Sequence, residues 1–159
     1  MTGTRRHRGG APVGYLSELT GAEAASVIYL RLWSESDERN DDIRNDFASV
    51  FGSAQAQRLT DTFGELCRMC VTHGRRPLMR HSVQCRCLGG DEACFANFVA
   101  YASEGEREDA LLMATLMVRP DIAPLLTSLA TDIGLALKQM KLSAPLSIMK
   151  QEIHHATIH

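Results

Sequence analysis

Helical spacing of apolar residues is the feature that most constrains the fold of this chain. Near the N-terminus, Ala25, Ile28, Tyr29 and Leu32 recur at intervals of three and four residues, which places them on one face of a helix. The same period returns in several later segments, whereas we find no convincing alternation with the period of two that is typical of strands. The sequence therefore predicts an all-α fold, a compact bundle of five or six helices.

The chain has 159 residues, of which 45% are hydrophobic, and this predicts one domain with a real core. Residues 1–14 carry Arg5, Arg6 and Arg8 and no acid, so we expect a disordered basic arm there. Residues 15–141 form the predicted helical domain, and residues 142–159 a flexible or docking tail. The arm lacks the apolar core of a secretory signal, and no apolar run is long enough to span a membrane.

All five cysteines and two of the six histidines lie between Cys67 and Cys94. Their odd number and close clustering argue against an extracellular disulfide framework. The pattern favours a reducing, cytoplasmic compartment with metal or redox use. Much of the cluster falls in a segment rich in Cys, His and Arg, about 74–91, which is expected to be irregular because it separates two helical patterns.

Thiolates and imidazoles at short spacing are typical of tetrahedral zinc sites. His81 and Cys85 are four residues apart, Cys85 and Cys87 are two apart, and Cys94 lies near the start of a helix. We therefore predict a zinc site with His81, Cys85, Cys87 and Cys94 as ligands. Cys70 or His73 could replace Cys94, since both lie near the end of the preceding helix.

The run from His81 to Cys87 is similar, over seven residues, to the His-x3-Cys-x2-Cys ligand run of zinc-binding anti-sigma factors. The last spacing here is one residue shorter. Two other interpretations of the cysteines stay open: redox-active thiols, and free cysteines that pack as small hydrophobes. Cys67 and Cys70 favour the packing interpretation because they share the apolar side of a helix.

Five arginines and no carboxylate lie between Leu66 and Gly90. Guanidinium groups suit phosphate and carboxylate, so Arg75, Arg76, Arg80 and Arg86 are predicted to bind an anionic ligand or an acidic partner. The alternative is internal pairing with the acidic segment 35–46. Nucleic acid is not favoured, because aromatic residues are not interleaved with the arginines.

These patterns predict a small zinc-binding regulatory or interaction protein that senses metal or redox state. A metal-free thiol redox switch is the alternative, and a zinc-dependent enzyme with Asp91–Glu92 as base is the second alternative. Enzymatic function is less favoured because the common hydrolase, phosphate-loop and metalloprotease motifs are missing from the sequence.

A homodimer is also predicted, built mainly on residues 106–140. This region is rich in Leu and Met and ends in a seven-residue repeat. The members of the repeat are Ile122, Leu126, Leu129, Ile133, Ala136 and Met140. The alternative is that the repeat belongs to an ordinary core helix.

Overall fold

A computed structural model describes residues 8–143 of the chain, and the side chains of residues 9–140. Within this part the chain forms six α-helices and one pair of short strands. The helices are α1 (Gly21–Glu35), α2 (Asp37–Phe51), α3 (Ser53–Thr72), α4 (Gly90–Ser103), α5 (Arg107–Met117) and α6 (Ala123–Ser143). The strands β1 (Pro12–Tyr15) and β2 (Cys87–Gly89) pair antiparallel. The predicted all-α fold is confirmed.

Helix α6 lies at the centre of the bundle. It packs against α1, α3, α4 and α5, and Leu126, Ile133 and Met140 are completely buried. The seven-residue repeat therefore faces the core of its own chain, and this stripe is not available as a seam between subunits.

Helix α2 begins within the stretch from Ser34 to Asp42, although its polar and acidic composition is typical of a loop. Ser36 caps the helix, with its side-chain oxygen accepting a hydrogen bond from the amide of Arg39 at 3.4 Å. Asp37 and Glu38 occupy the first turn, where the helix dipole favours negative charge. The acidic residues thus form a solvated helix surface.

Part of the predicted disordered arm is ordered. Residues 8–10 form a single 3₁₀ turn, and residues 12–14 belong to β1. The strand was not visible as a pattern because it is only four residues long and its partner, β2, lies more than seventy residues later. Residues 1–7, and the predicted tail beyond Ser143, lie outside the described part of the chain.

Helices α4 and α6 are in close contact at Gly134. A Cβ atom there would lie 2.7 Å from the Cβ of Ser103 and 2.9 Å from the carbonyl oxygen of Val99, which is closer than carbon atoms approach. We predict that Gly134→Ala lowers the free energy of unfolding by about 1–3 kcal/mol, because the two helices must separate. Urea denaturation followed by circular dichroism measures the change.

Gly64→Ala in α3 is the matched control. The closest atom to a Cβ at Gly64 is the guanidinium of Arg68 at 3.3 Å, which can move away, and alanine is the better helix former by about 1 kcal/mol. This variant should be as stable as the wild type or more so. Equal behaviour of the two variants would show that the helices do not cross at Gly134 as closely as described.

Candidate functional site

Arg31 lies near the C-terminal end of the buried run of α1 and reaches the irregular segment before α4. Its Nε donates to Glu92 Oε2 at 2.6 Å, and Nη2 donates to Glu92 Oε1 at 2.9 Å. The other N–H groups donate to the carbonyl oxygens of Ser82 (3.2 Å), Cys85 (2.7 Å) and Cys87 (2.8 Å). Both charged side chains are completely buried. All five donors of the guanidinium are therefore used, and they fix the backbone around Cys85.

The Glu92 carboxylate completes this network from the first turn of α4. It also accepts hydrogen bonds from the amides of Gly89 at 3.1 Å and His81 at 3.3 Å. Burial alone would raise the pKa of Glu92, but the hydrogen bonds and charge of Arg31, with those two amides, outweigh it and lower the pKa. The charged Glu92 carboxylate thus holds together α1, α4 and the irregular segment that precedes α4.

Residues 9–16, which we call the N-terminal strap, lie across the segment that carries the cysteines. The amide of Gly90 donates to the carbonyl of Ala11 at 3.1 Å, and the amide of Leu16 donates to the carbonyl of Arg86 at 2.9 Å. A side chain at Gly9 would overlap the carboxylate of Asp91. The strap therefore lies against the C-terminal part of this segment, from Arg86 to Asp91.

Cys85 and His81 form a side-chain pair beneath the strap. Cys85 Sγ lies 3.5 Å from His81 Nδ1, and His81 Nε2 lies 2.7 Å from the carbonyl oxygen of Gly10. A carbonyl oxygen only accepts, so we assign the hydrogen of the neutral ring to Nε2, which leaves Nδ1 to accept the thiol proton. Both side chains are half-buried. The arrangement joins a thiol, a base and a group that orients the base.

The other two predicted zinc ligands lie elsewhere around this segment. Cys87 begins β2 and is half-buried, whereas Cys94 lies on α4 and lines a separate cavity. Among residues 9–140, no group of three or more His, Cys, Asp or Glu side chains is arranged to hold a metal ion. The structure thus brings His81 and Cys85 together without joining a third ligand to them.

Three of the thiols lie in surroundings that suppress reactivity. Cys67 is completely buried, and burial raises its pKa well above the ordinary value. Burial raises the pKa of Cys70 to about 12, and burial followed by the charge of Asp91 raises the pKa of Cys94. These thiols stay protonated at neutral pH. His73, the other proposed alternative ligand, contacts the guanidinium of Arg119 through Nδ1 at 3.4 Å.

The arginines predicted to bind an anion are engaged to different degrees. Arg76 forms an ion pair with the nearly buried Asp91, so this pairing involves α4 and not the acidic segment 35–46. Arg75 Nε donates to the carbonyl of Thr115, and Arg80 Nη1 donates to the carbonyl of Leu78 at 3.0 Å. Arg75, Arg80 and Arg86 are exposed.

A cavity of about 260 Å³ lies between the start of α4 and the end of α5. It is lined by Cys70, Arg76, Pro77, Leu78, Asp91, Cys94, Leu116 and Met117. Neither Cys85 nor His81 lines this cavity, so it is separate from the thiol–imidazole pair.

Sequence reasoning missed the two residues that organise the site, Arg31 and Glu92, and the strap. Glu92 was considered only as a catalytic base. Arg31 did leave a signal, since it is a single charged residue within the apolar run 27–32, and a charge at such a position needs a buried partner. Gly10 contributes only its carbonyl, which no sequence pattern reveals.

Comparisons with protein-family models, with curated proteins and with solved structures found no match. Within residues 8–143, no helix combines the length and apolar character needed to cross a membrane. The chemistry of the site must therefore be argued from the residues themselves.

The buried carboxylate predicts a specific dependence of stability on pH. Because the folded pKa of Glu92 lies below that of a free carboxyl, 4.5, its contribution is present above that pH and is lost as the pH falls through the folded pKa. Glu92→Gln should remove this contribution, so stability should fall less steeply below about pH 4.5 than in the wild type. Urea denaturation between pH 3 and pH 7 measures both slopes.

Glu65→Gln serves as the control, since Glu65 pairs with Arg68 on the solvent side of α3. Its pH profile should match that of the wild type. An unchanged slope in Glu92→Gln would mean that Arg31 does not hold this carboxyl in its charged form.

Proposed function

We propose that the protein is a thiol-based redox sensor in which Cys85 is the reactive group and His81 its base. One observation carries the proposal: Sγ of Cys85 lies 3.5 Å from Nδ1 of His81, while Nε2 of the same ring is bonded to the carbonyl of Gly10. A nucleophile beside a base that a third group orients is the usual arrangement of an activated thiol. The half-burial of both side chains leaves a path for a small oxidant.

The chemistry proposed at Cys85 is oxidation by a peroxide. The thiol proton passes to His81 Nδ1, and the thiolate sulfur attacks one peroxide oxygen. The O–O bond breaks, and the leaving hydroxide takes the proton from the imidazolium to give water, which leaves Cys85 as a sulfenic acid. A small cellular thiol then condenses with the sulfenic acid, forming a mixed disulfide and a second water.

Oxidation of Cys85 would change the conformation of the strap, and this change is the proposed regulatory signal. An adduct on Cys85 must occupy space beside His81, whose ring holds Gly10 at 2.7 Å. Displacing that ring removes the only side-chain hydrogen bond between His81 and the strap within the described residues. We therefore expect oxidation to loosen residues 9–16, which limited proteolysis would detect.

Zinc binding is the second candidate, and the same pair supports it. Two ligands of a tetrahedral zinc, one nitrogen and one sulfur, are about 3.6 Å apart, close to the 3.5 Å between His81 and Cys85. Metal-bound histidines commonly donate their other N–H to a carbonyl, as His81 does to Gly10. In this proposal Cys87 and Cys94 complete the site by moving toward the pair.

Two further predictions remain proposals. The exposed Arg75, Arg80 and Arg86 support a contact with an anionic ligand or acidic partner. The exposed leucines of α5 and α6 support a homodimer, because isolated monomers rarely leave a large apolar patch uncovered.

His81→Gln tests the proposed base. Glutamine keeps an N–H that can reach the Gly10 carbonyl, but it cannot take up a proton at neutral pH. We expect alkylation of Cys85 by iodoacetamide at pH 7 to slow at least about tenfold, as measured by mass spectrometry of the Cys85 peptide. His73→Gln should leave the rate unchanged. Equal rates in all three proteins would show that His81 does not activate the thiol.

Metal analysis of protein purified without chelator separates the two candidates. The sensor predicts less than about 0.2 equivalents of zinc in folded protein, together with sulfenic acid at Cys85 after one equivalent of hydrogen peroxide. The zinc site predicts about one equivalent, with Cys85 protected from alkylation until a chelator is added. Metal-free protein whose Cys85 stays reduced in peroxide would contradict both.

A further inference from the structure

Helix α5 presents an apolar face to solvent. Leu112 and Leu116, one turn apart, are 66% and 64% exposed, the highest exposures among the large apolar residues of the described helices. Only the small side chains of Ala110 and Ala114 are fully buried, and the other large apolar residues of the helix are half-buried against the core. Leu112 and Leu116 are therefore the apolar residues of α5 that stay uncovered.

Charges of opposite sign flank this apolar face. Glu108 and Asp109 precede Leu112 by about one turn and are exposed, and no ion pair within the described residues engages them. At the other end, the exposed Arg75 is held against α5, because its Nε donates a hydrogen bond to the carbonyl of Thr115. At 100° per residue, Glu108, Leu112, Thr115 and Leu116 share one side of the helix. The face thus runs from acidic through apolar to basic.

We propose that this face, the α5 face, joins two copies of the chain, with the two α5 helices antiparallel about a two-fold axis near Leu112. This narrows the homodimer proposed above and rests on it. Residues 108 and 116 lie four positions on either side of Leu112, about 6 Å along the axis. The two-fold axis therefore sets Glu108 of one copy beside Leu116 and Arg75 of the other, and the leucines against each other.

A second copy fits this face better than other partners. A C2 contact uses the same patch twice, so an antiparallel copy supplies the reversed order of charges by symmetry. The two helix dipoles also oppose one another favourably. An acidic peptide or an anionic membrane would meet Glu108 and Asp109, which repel it.

Sedimentation at micromolar concentration tests the apolar part of the contact. The wild type should sediment as a dimer, and Leu112→Lys should raise the dissociation constant at least about tenfold, because a charge replaces a central apolar contact. Leu135→Lys on α6, where the leucine is 50% exposed, is the matched control and should leave the constant unchanged.

Charge reversal tests the antiparallel geometry. Arg75→Glu alone places two acids at both ends of the contact, and Glu108→Arg alone places two arginines there, so each variant should dissociate. An equimolar mixture of the two should form a heterodimer, because each end then holds one acid and one arginine. Raising the salt concentration should weaken the heterodimer.

The outcomes test separately whether a homodimer exists and whether the α5 face forms its contact. A wild-type monomer of 17.5 kDa would overturn both. A dimer that is insensitive to Leu112→Lys but disrupted by Leu135→Lys would overturn the α5 face while keeping the homodimer. Dissociation of both charge variants without recovery on mixing would overturn the antiparallel arrangement.

Discussion

The buried ion pair of Arg31 and Glu92 is the interaction on which the candidate site depends. Taking two charges out of water costs several kcal/mol per ion, and this cost is offset only where the pair is well aligned and the remaining donors and acceptors find partners. Here three N–H groups of the guanidinium donate to backbone carbonyls of the segment 82–87. The carboxylate accepts from one amide on each side of this segment, those of His81 and Gly89. Within the segment 82–87 there is no helix and only Cys87 belongs to a strand, so the ion pair holds backbone that secondary structure holds elsewhere.

The geometry of the thiol–imidazole pair follows from that constraint. Arg31 donates to the carbonyl of Cys85, and Glu92 accepts from the amide of His81, so buried side chains hold the backbone at both residues. The strap holds the His81 ring through the carbonyl of Gly10. Because each contact comes from a different part of the chain, the two side chains meet without being part of one helix. Both side chains are half-buried, so the backbone is held by the core while the pair keeps contact with solvent.

The helices could be predicted from sequence because their signal is local. The apolar spacing predicts helices around Ala25–Leu32 and Ile122–Met140, and these segments coincide with the observed α1 and α6. The site could not be predicted in the same way. Arg31 and Glu92 are 61 residues apart, and His81 and Gly10 are 71 apart. No periodicity connects such positions, and the strap contributes backbone groups whose role is independent of side-chain identity.

The cysteines show why proximity in sequence is a weak guide to a shared site. Cys67 and Cys70 lie on the buried side of α3, and Cys94 lies on α4, where it lines one cavity together with Cys70 but not with Cys85. The ordinary thiol environment in a core raises the pKa and keeps the sulfur neutral, as it does for Cys67 and Cys70. Cys85 differs because the segment held by Arg31 places it beside a ring nitrogen that can accept a proton. The contact with His81, and not membership of the cluster, therefore distinguishes Cys85 from the other sulfurs.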